Sequence, residues 1–185
     1  MGFEEYNPTS TLVVPGKVIN RAKYPFIDVH GHQYQMSTQD LAPVVAAMDT
    51  LNLQIMVNLS GRSGTDLQKS VKNIADHYPN RFVVFANIDF DGVGSKGWIE
   101  KTLNQFTQDV KNGARGLKVY KSLGMNNKDS DGKRVAVDDP RLDPIWDKCA
   151  ELGVPVLIHS ADPKPFWDDM DSKNERWLEL KTHPR

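Results

Sequence analysis

The stretch Tyr24–Tyr34, YPFIDVHGHQY, sets Asp28, His30 and His32 at alternate positions in an otherwise apolar, strand-like run. Alternate residues of a strand share one face, so the spacing predicts polar, metal-competent side chains on one side of a buried element. Buried polar groups need partners. Either hydrogen bonds within the fold satisfy these side chains, or a metal ion does. A His-x-His pair brings two imidazoles close enough to ligate one first-row metal, with Gly31 between them facing away. Asp28, two residues earlier on the same face, is placed to orient an imidazole from behind. His159 ends a second apolar run, VPVLIH. Both histidine sites fall at expected C-terminal strand ends, where α/β folds gather their active sites. Three imidazoles converging there with one open position make the pattern of a catalytic zinc site. The competing reading is that these histidines are core residues held by hydrogen bonds.

Lys118 stands inside RGLKVYKSLG, within an expected parallel strand. A lysine buried there must be paired, neutralised or modified. Its functional reading is an inward lysine beside the metal, either carboxylated to bridge two ions or acting as an electrostatic group in the pocket. Its structural reading is a strand-end lysine that snorkels to solvent. Lys121, three residues on, belongs to the following loop. Other matches are set aside. GVGSKG (92–97) fits Gly-x-Gly-x-x-Gly between a strand and a helix, but it follows the third strand, and Asp89 and Asp91 would repel a phosphate. NKDSDGKRVAVD (127–138) has the acidic spacing of a calcium loop but carries Arg134 where an apolar residue is usual. Cys149 shares a helix with Ile145 and Leu152 and reads as core. Ser60 and Ser160 lack a Gly-x-Ser-x-Gly elbow.

The elements that must position these residues alternate. Strands are expected at 26–30, 54–60, 81–90, within 114–123, and at 154–161. Helical spacing covers 38–52, with Thr38 as its N-cap, then 65–79, 96–113, 140–153 and 171–183. Residues 1–24 read as an N-terminal extension, and 25–185 as one α/β domain. Apolar, β-branched strands buried on both faces predict a parallel sheet. Two architectures fit. One is a five-stranded flavodoxin-like open sheet. The other is a TIM-type (β/α)₈ barrel, which needs about 250 residues, so that the 185 residues here would supply strands one to five and their helices.

Composition narrows the partners. A net charge of −1 predicts no attraction to nucleic acid or to anionic membranes. No apolar run approaches the roughly 20 residues of a membrane span, and the N-terminus lacks a signal-peptide core. A single cysteine rules out an internal disulfide framework. Together these point to a cytoplasmic protein.

FIDVHGH, GARGLKVYKSLG, DPRLDPIWDKCAELGVPVLIHSADP and NERWLEL together resemble the amidohydrolase superfamily, in the branch that includes aminocarboxymuconate-semialdehyde decarboxylase-like enzymes. The resemblance runs from about Tyr24 to the C-terminus. It implies a (β/α)₈ barrel with one or two divalent ions at the C-terminal mouth, zinc above all, with manganese, iron or cobalt as alternatives. His30 and His32 match the strand-one metal ligands and His159 the strand-five ligand. Lys118 falls on strand four, where some branches use a carboxylated lysine and others use no ligand. The family's strand-six histidine and strand-eight aspartate have no counterpart in these 185 residues. The implied activity is hydrolysis, with metal-activated water attacking a carbonyl-type substrate, or alternatively non-oxidative decarboxylation at the same site. Without the strand-eight aspartate, the chain alone is expected to be inactive, and a non-catalytic remnant or binding protein is a further reading. Open sheet edges would favour homo-oligomers.

Overall fold

The computed structural model describes residue 16 and residues 19–160, 164–171 and 173–183. Most of the expected extension, residues 1–15, 17 and 18, lies outside the described residues. Ile19–His159 form one compact unit. The described residues from Ser160 onward belong to another.

Within the first unit, strands and helices alternate as β1 (Phe26–Gly31), α1 (Ala42–Leu51), β2 (Leu53–Asn58), α2 (Gly64–His77), β3 (Phe82–Val84), β4 (Ala86–Asn87), α3 (Trp98–Lys111), β5 (Leu117–Val119), α4 (Asp143–Glu151) and β6 (Val156–Ile158). All pairing between these strands is parallel. The strands form two small sheets in chain order, β1-β2-β3 and β4-β5-β6. The expected strand at 81–90 is therefore two short pieces, broken at Phe85. The Phe85 N–H donates to Asn58 O of β2 at 3.0 Å, while Arg115 N–H reaches Val84 O and Ala86 N–H reaches Gly116 O, both at 2.8 Å. The chain thus changes partners from one neighbour to the other across a single residue.

The helices decide between the two architectures. Val45 and Met48 of α1, Leu67 and Ile74 of α2, Phe106 of α3, and Ile145 and Cys149 of α4 join one core cluster. Strand residues Leu53, Phe82, Val84, Ala86, Leu117 and Val119 belong to the same cluster. A second cluster of Val57, Leu59 and Phe85, flanked by Val83 and Leu157, contains no helical residue. Alternate strand residues thus face helices on one side and other strand residues on the opposite side. A flavodoxin-like sheet would carry helices on both faces and set β1 between β2 and the third strand. Here β2 lies between β1 and β3, so that alternative is corrected. Among the described residues the two sheets do not close into a barrel.

Other expectations change locally. α1 begins at Ala42 rather than Thr38: Pro43 favours the first turn, and Asp40 Oδ1 accepts the Ala42 N–H at 2.9 Å. α3 ends as expected, with Gly113 at φ 115° just beyond it. The expectation that β1 is buried on both faces fails. Phe26, Ile27 and Val29 are exposed, because among the described residues only β2 pairs with this strand. No helix among the described residues is long and apolar enough to cross a membrane.

The second unit is small. Its helix α5, Trp177–Thr182, starts later than the expected 171–183. The chain before it is held as a turn, with Asn174 Nδ2 donating to Pro165 O at 2.7 Å. The Arg176 guanidinium sits 4.6 Å from the Phe166 ring centroid and pairs with Glu179 at 2.5 Å.

Gly61, just after β2, is packed so closely that an added Cβ would lie 2.2 Å from Phe85 O and 2.3 Å from Val84 Cγ1. One of those neighbours is backbone and cannot swing aside. Gly61→Ala is therefore expected to lower stability by about 1–3 kcal/mol, read as a lower urea midpoint with an unchanged slope.

Candidate functional site

The helix-free face and the C-terminal strand ends gather the polar residues. β1 ends at Gly31, which pairs with Asn58 at the end of β2. The Asn58 side chain is fully buried and clamps the turns that leave both strands. Its Oδ1 accepts the Gln33 N–H at 2.9 Å and the Ser60 N–H at 3.0 Å, and its Nδ2 donates to Gln33 O at 3.2 Å. His32 and Ser60 are held within reach of each other by this one side chain.

The structure brings His30 and His32 together, with ring centroids 5.2 Å apart in an edge-on arrangement. His32 Nδ1 lies 2.8 Å from Ser60 Oγ, and Ser60 Oγ lies 2.9 Å from the Tyr120 hydroxyl. The His32 ring stacks with Tyr34 at 5.5 Å and with Tyr120 at 6.1 Å. Burial, then the neighbouring His30 and Lys118 charges, hold its pKa below the usual histidine value. This favours the neutral imidazole, the form that ligates a metal.

Asp28 Oδ1 accepts the His30 backbone N–H at 2.9 Å, which fixes the strand end beside the histidine pair. The register of β1 against β2 shifts between Asp28 and Gly31, which breaks the strict alternation expected along this strand.

Lys118 does not snorkel. It is 1% exposed, between Leu117 and Val119, which pack on the helix side, so its side chain leaves the strand on the other face. Its Nζ has no hydrogen-bond partner among the described residues and stands 5.9 Å from the Tyr120 ring centroid. Burial pushes the amine's pKa down. His159 follows β6, and its backbone N–H donates to Val119 O at 3.1 Å. That bond carries β6 alongside the end of β5. Among the described residues, no group of three or more His, Cys, Asp and Glu side chains is close enough to hold a metal. The site is thus a histidine pair with a buried amine nearby, and His159 stands at a separate strand end.

Reading the residues by type missed Asn58, Ser60, Tyr120 and Asn87 as a set. Asn87 Nδ2 donates to Leu59 O at 3.0 Å, and its Oδ1 accepts the Arg62 N–H at 2.8 Å. The available signal was a polar residue closing each apolar run, in IMVN, VVFAN and LKVY. Residues set aside are occupied structurally. Asp91 Oδ1 accepts from Asn127 Nδ2 and from the Lys128 N–H, tying the glycine-rich turn to the 127–138 loop. Asp129 pairs with Arg141 at 3.1 Å. Burial pushes the Cys149 thiol up to about 11.

The amidohydrolase family model matches residues 22–176 of the chain. The match takes in His30, His32, Lys118 and His159. Comparison with curated proteins gives no match.

An ammonium at Lys118 is desolvated without a hydrogen bond, so Lys118→Met is expected to raise stability by about 1–3 kcal/mol at neutral pH. The folded-state pKa lies below the unfolded one, so the unfolded chain binds more protons in the interval between them. Wild-type stability therefore rises with pH through that interval. Urea unfolding of both proteins across mildly alkaline pH should show the Met variant's advantage shrinking as pH approaches the usual lysine value.

Proposed function

The chain belongs to the amidohydrolase family, and from that premise we propose that it forms the metal-binding part of a metal-dependent hydrolase acting on a small molecule with a carbonyl-type group. The observation that carries this reading is the His30–His32 pair, with rings 5.2 Å apart and, among the described residues, His32 hydrogen-bonded through Nδ1. The donor chemistry fits a first-row ion. Two imidazoles sit side by side, and the one whose charge state is perturbed is pushed toward neutrality. Imidazole donors suit zinc, and also iron, copper and nickel. In this reading His30 and His32 hold the ion, and His159, which stands outside that pair at the end of β6, is the proposed third ligand. The ion would act as a Lewis acid toward water and toward the substrate's carbonyl oxygen.

The chain's own groups have defined tasks in this proposal. Asp28 holds the His30 backbone in place through its 2.9 Å bond. Asn58 fixes the turns that carry His32 and Ser60. Lys118 supplies a buried amine with a weakened hold on its proton. Such an amine is suited to carboxylation: nitrogen attacks carbon dioxide, a carbon–nitrogen bond forms, and one proton leaves. The carbamate would bridge a second ion.

We also read the two open sheets as strands one to five of a (β/α)₈ barrel, with strand three divided into β3 and β4. Sequential parallel pairing and helices on one face alone support this. So do the exposed Phe26, Ile27 and Val29 on β1 and Ile158 on β6, surfaces that neighbouring strands would cover.

Elemental analysis after dialysis against micromolar zinc tests the site. Near-stoichiometric zinc is expected for the wild type, with loss in the His30→Ala/His32→Ala double variant and weaker retention in His159→Ala. A folded wild type that takes up no first-row ion would sink the metal-dependent reading. Release of carbon dioxide in place of a hydrolysis product from carbonyl-type substrates would move the reaction to decarboxylation.

A further inference from the structure

We propose that Ser60 and Tyr120 are positioning residues that fix the tautomer of His32, keeping its proton on Nδ1 and leaving the Nε2 lone pair available to a ligand. The proposal rests on the reading of His32 as a metal ligand only for its purpose. The proton arrangement itself comes from hydrogen-bond counting.

Three contacts run in series. His32 Nδ1 meets Ser60 Oγ at 2.8 Å, Ser60 Oγ meets Tyr120 Oη at 2.9 Å, and Tyr120 Oη meets Leu59 O at 3.0 Å. A backbone carbonyl only accepts, so the last contact uses Tyr120's single proton. The contact between Ser60 and Tyr120 then requires Ser60's proton. With that proton committed, Ser60 Oγ faces the imidazole as an acceptor, so Nδ1 must carry a hydrogen. In a neutral ring, Nε2 is then the bare nitrogen. The reversed chain fails at its far end. If Ser60 donated to Nδ1 and Tyr120 donated to Ser60, two lone-pair oxygens would face each other at 3.0 Å with no proton between them.

The surroundings keep this arrangement from relaxing. Leu59 O also accepts from Asn87 Nδ2 at 3.0 Å, and Leu59 N–H is bonded to Gly31 O at 2.9 Å, so the terminal acceptor cannot swing away. The Ser60 N–H is pinned by Asn58 Oδ1. Leu59 is fully buried and Ser60 is 4% exposed, which limits replacement of a missing partner by water. Tyr34 and Tyr120 stack with the imidazole and restrain its rotation. The chain links β1, β2 and β5 across 28 and 60 residues of sequence, so its geometry is a property of the fold.

Nitrogen-15 NMR of histidine-labelled, metal-free protein at mildly alkaline pH reads the tautomer directly. The expected wild-type pattern for His32 is a protonated Nδ1 and an unprotonated Nε2. Tyr120→Phe removes the acceptor for Ser60's proton and frees Ser60 to donate to Nδ1. Its spectrum should shift toward the Nε2–H tautomer, with zinc affinity falling about 10-fold or more. Ser60→Thr keeps the hydroxyl and should retain the wild-type pattern. A wild-type His32 protonated on Nε2 would overturn the proposal, as would a folded Tyr120→Phe protein with an unchanged His32 spectrum. The expected tautomer in a wild type that binds no zinc would uphold the proton chain and defeat the metal reading, so the two failures are distinct.

Discussion

All four α-helices of the Ile19–His159 unit bury their apolar stripes against the same face of the strands. That one-sidedness governs what the other face can be. Side chains alternate along each strand, so each residue packed toward the helices has neighbours that emerge on the helix-free side. There they meet strand residues such as Val57, Val83 and Leu157, with Leu59 and Phe85 beside the strands, and the polar groups at the strand ends. The site is therefore assembled from strand termini, with no helix supplying a side chain to the His32–Ser60–Tyr120 series. Residues distant in sequence must agree in register for it to exist.

Lys118 shows how closely stability and chemistry are opposed here. Its neighbours Leu117 and Val119 are fully buried and belong to the main core. The strand cannot slide to bring Lys118 toward water without removing those two residues from the core. At about 1.5–3 kcal/mol for each buried aliphatic side chain, that would cost more than desolvating one amine whose charge can be given up. The backbone register is settled by the apolar residues, and the lysine responds by holding its proton less tightly. Asn58 resolves the same tension differently. Fully buried, it satisfies both ends of its amide within the turns it stabilises.

Much of this was legible in the sequence, and the parts that were not have physical reasons. The alternation of elements appeared from apolar periodicity, and the C-terminal strand ends appeared as the place where His30, His32 and His159 stand. The His-x-His spacing correctly brought two imidazoles together. The place of Lys118 in an apolar strand left burial and a snorkelling strand end both open, and the structure buries it. The bond from the His30 backbone N–H to Asp28 was not readable, because a carboxylate two residues before a histidine can bond either the ring or the backbone. The break at Phe85 was hidden because VVFAN keeps apolar character straight through the point where pairing partners change. Ser60 and Tyr120 gave no local motif at all. Their partnership arises only when β2 and β5 are brought to the same end of the fold.

The order of the strands has a consequence for how the chain acquires its structure. Each named strand is paired with the one before it in sequence or, at β3 and β4, is joined to it through Phe85. Contacts are therefore laid down between successive segments, and little waits on a distant one. As the chain leaves the ribosome, β1 and β2 can dock once β2 has followed α1 out, and each later strand finds its template already formed. The hydrogen bonds that pass from His32 through Ser60 to Tyr120 cannot close until β5 has emerged. The growing chain would thus acquire its scaffold progressively, in the direction of synthesis, and the His32–Ser60–Tyr120 series abruptly.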